Sequence, residues 1–104
     1  MTQCLVYMTA SSAEEAARIG STLGEERLAA CVNVIEPMIA IYRWQGELHR
    51  DTEAVFIAKT RDELVGKLTE RVKELHSYEC PCVVALPITG GNPDFVNWID
   101  DQIK

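Results

Sequence analysis

The sequence predicts a single mixed α/β domain over residues 1–104, in layer terms an α+β sandwich of order β-α-β-β-α-β-α. Three observations predict it. Short apolar, β-branched runs alternate with two segments whose apolar residues recur every three or four positions, the marks of strands and amphipathic helices. Two longer β-rich runs meet at Gln45-Gly46, a hairpin signal. The 104 residues are 47% hydrophobic and 25% charged, ordinary for a globular chain with one core.

Each element has a local reason. CLVYMT (4–9) is an apolar strand that ends at ASS, a helix start. Ser11 with Glu14, or Ser12 with Glu15, has capping-box spacing. Ala13, Ala16, Ala17, Gly20 and Leu23 then form a stripe of small residues, so a first helix is expected near 12–27, lying close on a sheet. AACVNVIEPMIAIYRW (29–44) is β-branched and aromatic, and its Pro37 suits an edge strand or a bulge. Past the turn, ELHRDTEAVFIAKT (47–60) completes a long hairpin. Thr60 with Glu63 repeats the capping-box spacing, and Leu64, Leu68, Val72 and Leu75 line one face of a second helix ending near 76. CPCVVALP (80–87) is the last strand. Asn92 before Pro93 is an N-cap with proline at N1, opening a short helix with Phe95, Trp98 and Ile99 on one face. This order is that of a ferredoxin-like sandwich with an extra C-terminal helix and a long hairpin arm.

Such a unit is incomplete alone. The first, third and fourth strands are apolar at consecutive positions, hence on both sheet faces, while two crossover helices cover only one. A strand of about 14 residues spans roughly 45 Å, against a radius of gyration near ~13 Å for a compact chain of this length. The hairpin tip around Trp44 therefore overhangs the core. An overhanging, half-apolar hairpin with a free edge adds to a neighbour's sheet, so a homo-oligomer is expected.

Composition excludes several functions. The net charge is −6 with no lysine or arginine run, so nucleic acid is not an expected partner. No span approaches the ~18 uninterrupted apolar residues of a membrane helix, and residues 1–11 do not read as a signal peptide. Neither a membrane anchor nor export is expected, and the chain reads as cytoplasmic. Four cysteines in a reducing compartment read as thiols, and Cys4, Cys31, Cys80 and Cys82 contain no C-x-x-C pair for zinc. Two histidines and the absence of a nucleophile or metallohydrolase motif argue against an enzyme.

LAACVNVI, YRWQGEL, AKT, LHSYECPCVVALPI and FVNWI, in that order and spacing, resemble the CutA family of divalent-cation tolerance proteins. The match covers nearly the whole chain. The resemblance implies a ferredoxin-like homotrimer with sheets turned inward round a threefold axis and hairpin arms reaching onto neighbours. It implies a link to copper and other divalent cations in the response to metal ions, with no cofactor required. It also implies, as an alternative, a PII-like signalling or scaffold trimer that binds a small anion or partner protein in clefts between subunits.

In that family a soft ligand at the end of the first strand is proposed to pair with a histidine just before the tyrosine preceding the last strand. Those positions are Met8 and His76 here. The thioether of Met8 would favour Cu(I) over Zn(II) or Cu(II), and Leu75 stands where some relatives carry a second histidine. The plainer readings are core filler for Met8 and a helix C-terminal partner for His76. Tyr42 and Trp44 share a strand face and read as interface anchors, beside Lys59 and Tyr78 as further cleft or interface residues. His49 reads as a solvated residue near the hairpin tip. Cys80 and Cys82 lie two apart on one strand face; their thiolates could converge on a soft ion, but the apolar neighbours Val83, Val84 and Leu86 read them as core filler, as with Cys4 and Cys31.

Overall fold

A computed structural model describes residues 2–104. The elements are β1 (Gln3–Ala10), α1 (Ala13–Glu25), β2 (Cys31–Trp44), β3 (Glu47–Arg61), a 3-10 turn (Asp62–Leu64), α2 (Val65–Leu75), β4 (Val83–Pro87) and α3 (Pro93–Gln102). They build one four-stranded sheet of order β2-β3-β1-β4, with every neighbouring pair antiparallel. That is the predicted ferredoxin-like topology, and β2 is an edge strand, as Pro37 requires.

Side chains alternate across the sheet. Cys4, Val6, Met8 and Ala10 of β1 and Ala54, Phe56, Ala58 and Thr60 of β3 are buried on one face. Ile19 and Leu23 of α1 and Leu68 and Val72 of α2 close over them. Gly20 lets α1 lie close to β2, because a Cβ there would stand 3.0 Å from Val32 Cγ1. The other face is largely open. Ile35, Val84 and Leu86 are about half exposed on it, while α3 covers only the end near Gln3, Lys59 and Arg61. There Ile99 and Ile103 pack with Leu64, Ala30 and Ile88, and Gln3 Nε2 donates to Asp100 at 2.9 Å.

The hairpin outruns the sheet. β1 pairs with β3 only from Gln3–Arg61 to Ala10–Ala54, whereas β2 stays paired to Trp44–Glu47. A register shift between Ile35 and Met38, at Pro37, bends the arm where this support ends. The longest dimension is 43 Å against 25 and 22 Å for the others. Gln45 and Gly46 both have positive φ, 49° and 81°, the geometry of a type I′ turn.

Two expected boundaries are corrected. Thr60 does not cap α2; it remains in β3, and its hydroxyl donates to the Leu28 carbonyl at 2.7 Å. The pairing with β1 carries β3 through Arg61, so the helix begins later, after the 3-10 turn. The last strand begins at Val83, not at Cys80. The ladder with β1 ends at Met8–Val83, and the next carbonyl, that of Thr9, accepts from His76 Nε2 at 2.8 Å. Pro81 has no amide hydrogen to extend the ladder.

Gln45 holds a left-handed conformation that asparagine adopts more readily. Gln45→Asn is expected to raise stability by a fraction of the ~1 kcal/mol that this conformation costs most residues, read as a higher denaturation midpoint with an unchanged slope.

Candidate functional site

The site lies on the open face at the root of the arm. A cavity of about 430 Å³ is walled by Thr9 of β1, Ala40, Tyr42 and Trp44 of β2, and Glu53 of β3. Tyr78, Glu79, Cys80 and Cys82 of the α2–β4 connection close it. The wall follows from strand alternation. Met38–Glu53, Ala40–Asp51, Tyr42–His49 and Trp44–Glu47 are direct cross-strand pairs, so their side chains share the face that continues into Val55, Ile57 and Lys59.

A buried carboxylate positions the connection. Glu15, in the first turn of α1, is 7% exposed. It accepts from the Ser11 amide at 3.1 Å and hydroxyl at 2.8 Å, and from the Ser77 amide at 2.8 Å. Burial opposes its ionisation, but the bonds from Ser77 and Ser11 outweigh it and lower its pKa to about 2. With Ser77 pinned, His76 turns inward. Its Nδ1 accepts from the Tyr78 amide at 3.0 Å, which leaves the hydrogen on Nε2 for the Thr9 carbonyl. Tyr78 then donates its hydroxyl to Glu53, which is 8% exposed. Burial, followed by this bond, pushes the Tyr78 pKa up. Burial and then Glu53 likewise raise the Cys82 thiol. At the arm, Tyr42 donates to Asp51 and stacks on His49, so His49 is an arm contact as well as a surface residue.

The residues singled out in the sequence are thus divided. Tyr42, Trp44 and Tyr78 come together in the cavity. Lys59 does not; its Nζ donates to Asn33 Oδ1 at 2.6 Å and lies 5.9 Å from the Phe95 ring centre. Met8 is fully buried on the helix-covered face. The His76 side chain is likewise shielded, with both ring nitrogens engaged. Cys4 is core filler, as expected, and its thiol pKa is raised by burial and then by Asp62. Cys80 and Cys82 are corrected: Cys80 is exposed, Cys82 is half-buried, and both border the cavity outside the strand. Sequence reasoning missed Glu53 and Glu79 altogether. Glu53 gave one usable signal, an acidic residue directly before the apolar run AVFIA. Among the described residues no three His, Cys, Asp or Glu side chains form a ready-made metal centre.

The fold and this site define a ferredoxin-like domain with one open face and a projecting arm. Residues 4–102 match the family model described as CutA1 divalent ion tolerance protein. A divalent-cation tolerance protein CutA from Thermus thermophilus is 47% identical over 98 residues, 94% of this chain and 95% of that protein. Its counterpart from Archaeoglobus fulgidus is 42% identical over 99 residues, 95% of this chain and 96% of that one. A solved Thermus thermophilus CutA1 structure superposes with a TM-score of 0.95 at 44% identity, covering 98% of this chain and 99% of the other. An Archaeoglobus fulgidus structure described as a periplasmic divalent cation tolerance protein gives 0.94 at 41% identity, covering 98% and 99%. This chain belongs to the CutA1 divalent ion tolerance protein family. A rice relative, 39% identical over 96% of this chain and 56% of its own length, is named as chloroplastic, so these relatives do not share one compartment. Among the described residues no helix is long and apolar enough to cross a membrane.

The depressed pKa of Glu15 has a definite sign. Its contribution to stability is complete above its ordinary pKa of 4.5 and is lost as pH falls towards about 2. In denaturant titrations between pH 7 and 2, Glu15→Gln is expected to flatten the stability profile below pH 4.5. At neutral pH it is expected to cost about 1.5–3 kcal/mol, the range for hydrogen bonds to a charged group.

Proposed function

We propose that this protein acts in cellular tolerance of metal ions by binding copper or related cations directly, without catalysis, as a homotrimer. The observation that carries the reading is the donor set of the cavity: two carboxylates and two thiols, with no basic side chain among the residues that line it. Carboxylates attract cations and thiolates hold the softer ones. Family membership supports the same direction. Met8 and His76 are the pair that family resemblance nominates. An ion at His76 would have to displace either the Tyr78 amide from Nδ1 or the Thr9 carbonyl from Nε2. The anion-binding alternative has less support, because Lys59 lies outside the cavity and its ammonium is already held by Asn33.

Self-association rests on the open face. Ile35, Val84 and Leu86 there, and Ile39, Ile41 and Leu48 on the arm, are all at least half exposed. Exposed apolar residues grouped on one face mark an interaction surface; three copies turned inward would cover the open face, and the three arm residues, which the register puts on the opposite face of the hairpin, would meet a neighbour separately.

Light scattering at micromolar concentration is expected to give three times the 11.6 kDa chain mass. Leu86→Glu, which puts a charge on the open face without disturbing the helix-covered core, is expected to give monomers; a monomeric wild type overturns the trimer. In titrations with Cu(II) and Cu(I), the wild type is expected to bind either ion, and failure to bind both overturns direct binding. Met8→Leu/His76→Gln is expected to weaken binding if those side chains are ligands; unchanged affinity removes them from the assignment.

A further inference from the structure

We infer that Cys80 and Cys82 form a two-thiolate capture site for a soft monovalent d10 cation of the Cu(I) class at the mouth of the cavity. The inference rests on the cation-binding reading above and specifies its ligands. Both residues are free thiols, one exposed and one half-buried, and both border the same cavity. The β4 ladder stops at Val83, so neither is consumed by the sheet.

Spacing suits the ion. With one residue between them, the two Cα atoms are at most ~7 Å apart. Two metal–sulfur bonds of about 2.3 Å would hold the sulfurs roughly 4.6 Å apart, a span that two cysteine side chains on neighbouring positions can close. Pro81 fixes its own φ near −65° and biases Cys80 towards extended backbone, so part of the ordering is done before the ion arrives.

Ligand count sets the ion class. Among the described residues no third His, Cys, Asp or Glu converges to complete a metal centre. Four-coordinate zinc and six-coordinate magnesium or calcium are therefore poorly served. Thiolates favour soft metals, Cu(I), zinc and iron–sulfur clusters among them, and of these Cu(I) is the one that two thiolates in linear coordination are enough to hold. On binding, each thiol releases its proton to solvent and two sulfur–metal bonds form, with no change in oxidation state. Glu53 and Glu79 at the same cavity draw cations towards the thiols.

The test uses the full chain under anaerobic, reducing conditions, with Cu(I) as the probe. Native mass spectrometry counts the ions, and thiolate-to-copper charge-transfer absorption reports the ligands. One Cu(I) per chain with that absorption is expected for the wild type. Both signals are expected to vanish in Cys80→Ser/Cys82→Ser, whose circular dichroism should match the wild type because neither thiol is in the core. Cu(I) retained at full stoichiometry by the serine variant overturns the cysteine site and leaves the broader cation reading standing. A wild type that takes up Cu(II) but no Cu(I) does the same. A wild type that takes up neither ion overturns both.

Discussion

The Glu15 carboxylate is the constraint on which the functional end of the molecule depends. It lies where β1 turns into α1 and accepts hydrogen bonds both from that turn and from the backbone that follows α2. Without that anchor, Ser77 would have no reason to sit against the first helix. His76 would not be aligned on the Thr9 carbonyl, and Tyr78 would not be delivered to Glu53. The ladder with β1 ends at Met8–Val83, the Thr9 carbonyl is bonded to His76, and the two preceding cysteines border the cavity. A charged group buried for structural reasons thus sets the chemistry of a site it does not line.

The arm follows from a second simple constraint. β1 is shorter than the hairpin it supports, so beyond Ala54 the two strands of the arm have only each other. Glu53 is the first residue past that limit on the open face, and its carboxylate is held there by Tyr78. The cavity therefore occupies the joint between a two-layer body and a two-stranded extension. Its walls come from both, with Thr9 and the α2–β4 connection on one side and Tyr42 and Trp44 on the other. The open apolar face meets the cavity along Val55 and Glu53. Whatever covers that face also meets the cavity rim, which couples any assembly to access at the site.

The sequence by itself determined the elements whose causes are local. Period-two and period-3.6 patterns placed four strands and three helices in the right order. Ser12 and Asn92 cap their helices through short-range bonds to Glu15 and Asp94 amides, at 3.1 Å each. Gln45-Gly46 makes the turn its composition demands. Consecutive apolar residues in three strands announced a second face that two helices could not cover, and the half-exposed Val84 and Leu86 are that face.

Only the tertiary structure decided what depends on contacts distant in sequence. Glu15 reads locally as a partner in helix capping, yet one of its bonds reaches Ser77, 62 positions away. Tyr78 and Glu53 are 25 positions apart and meet only because two separate elements fix them. Thr60 carries a helix-start signal that strand pairing with β1 overrides. Cys80 and Cys82 carry a strand signal that the paired ladder, which ends at Met8–Val83, does not reach, with Pro81 unable to donate to an extension. Local patterns encode backbone preference within a few residues, whereas the occupancy of a hydrogen-bond acceptor is fixed only when the chain closes on itself. The site was assembled by that closure.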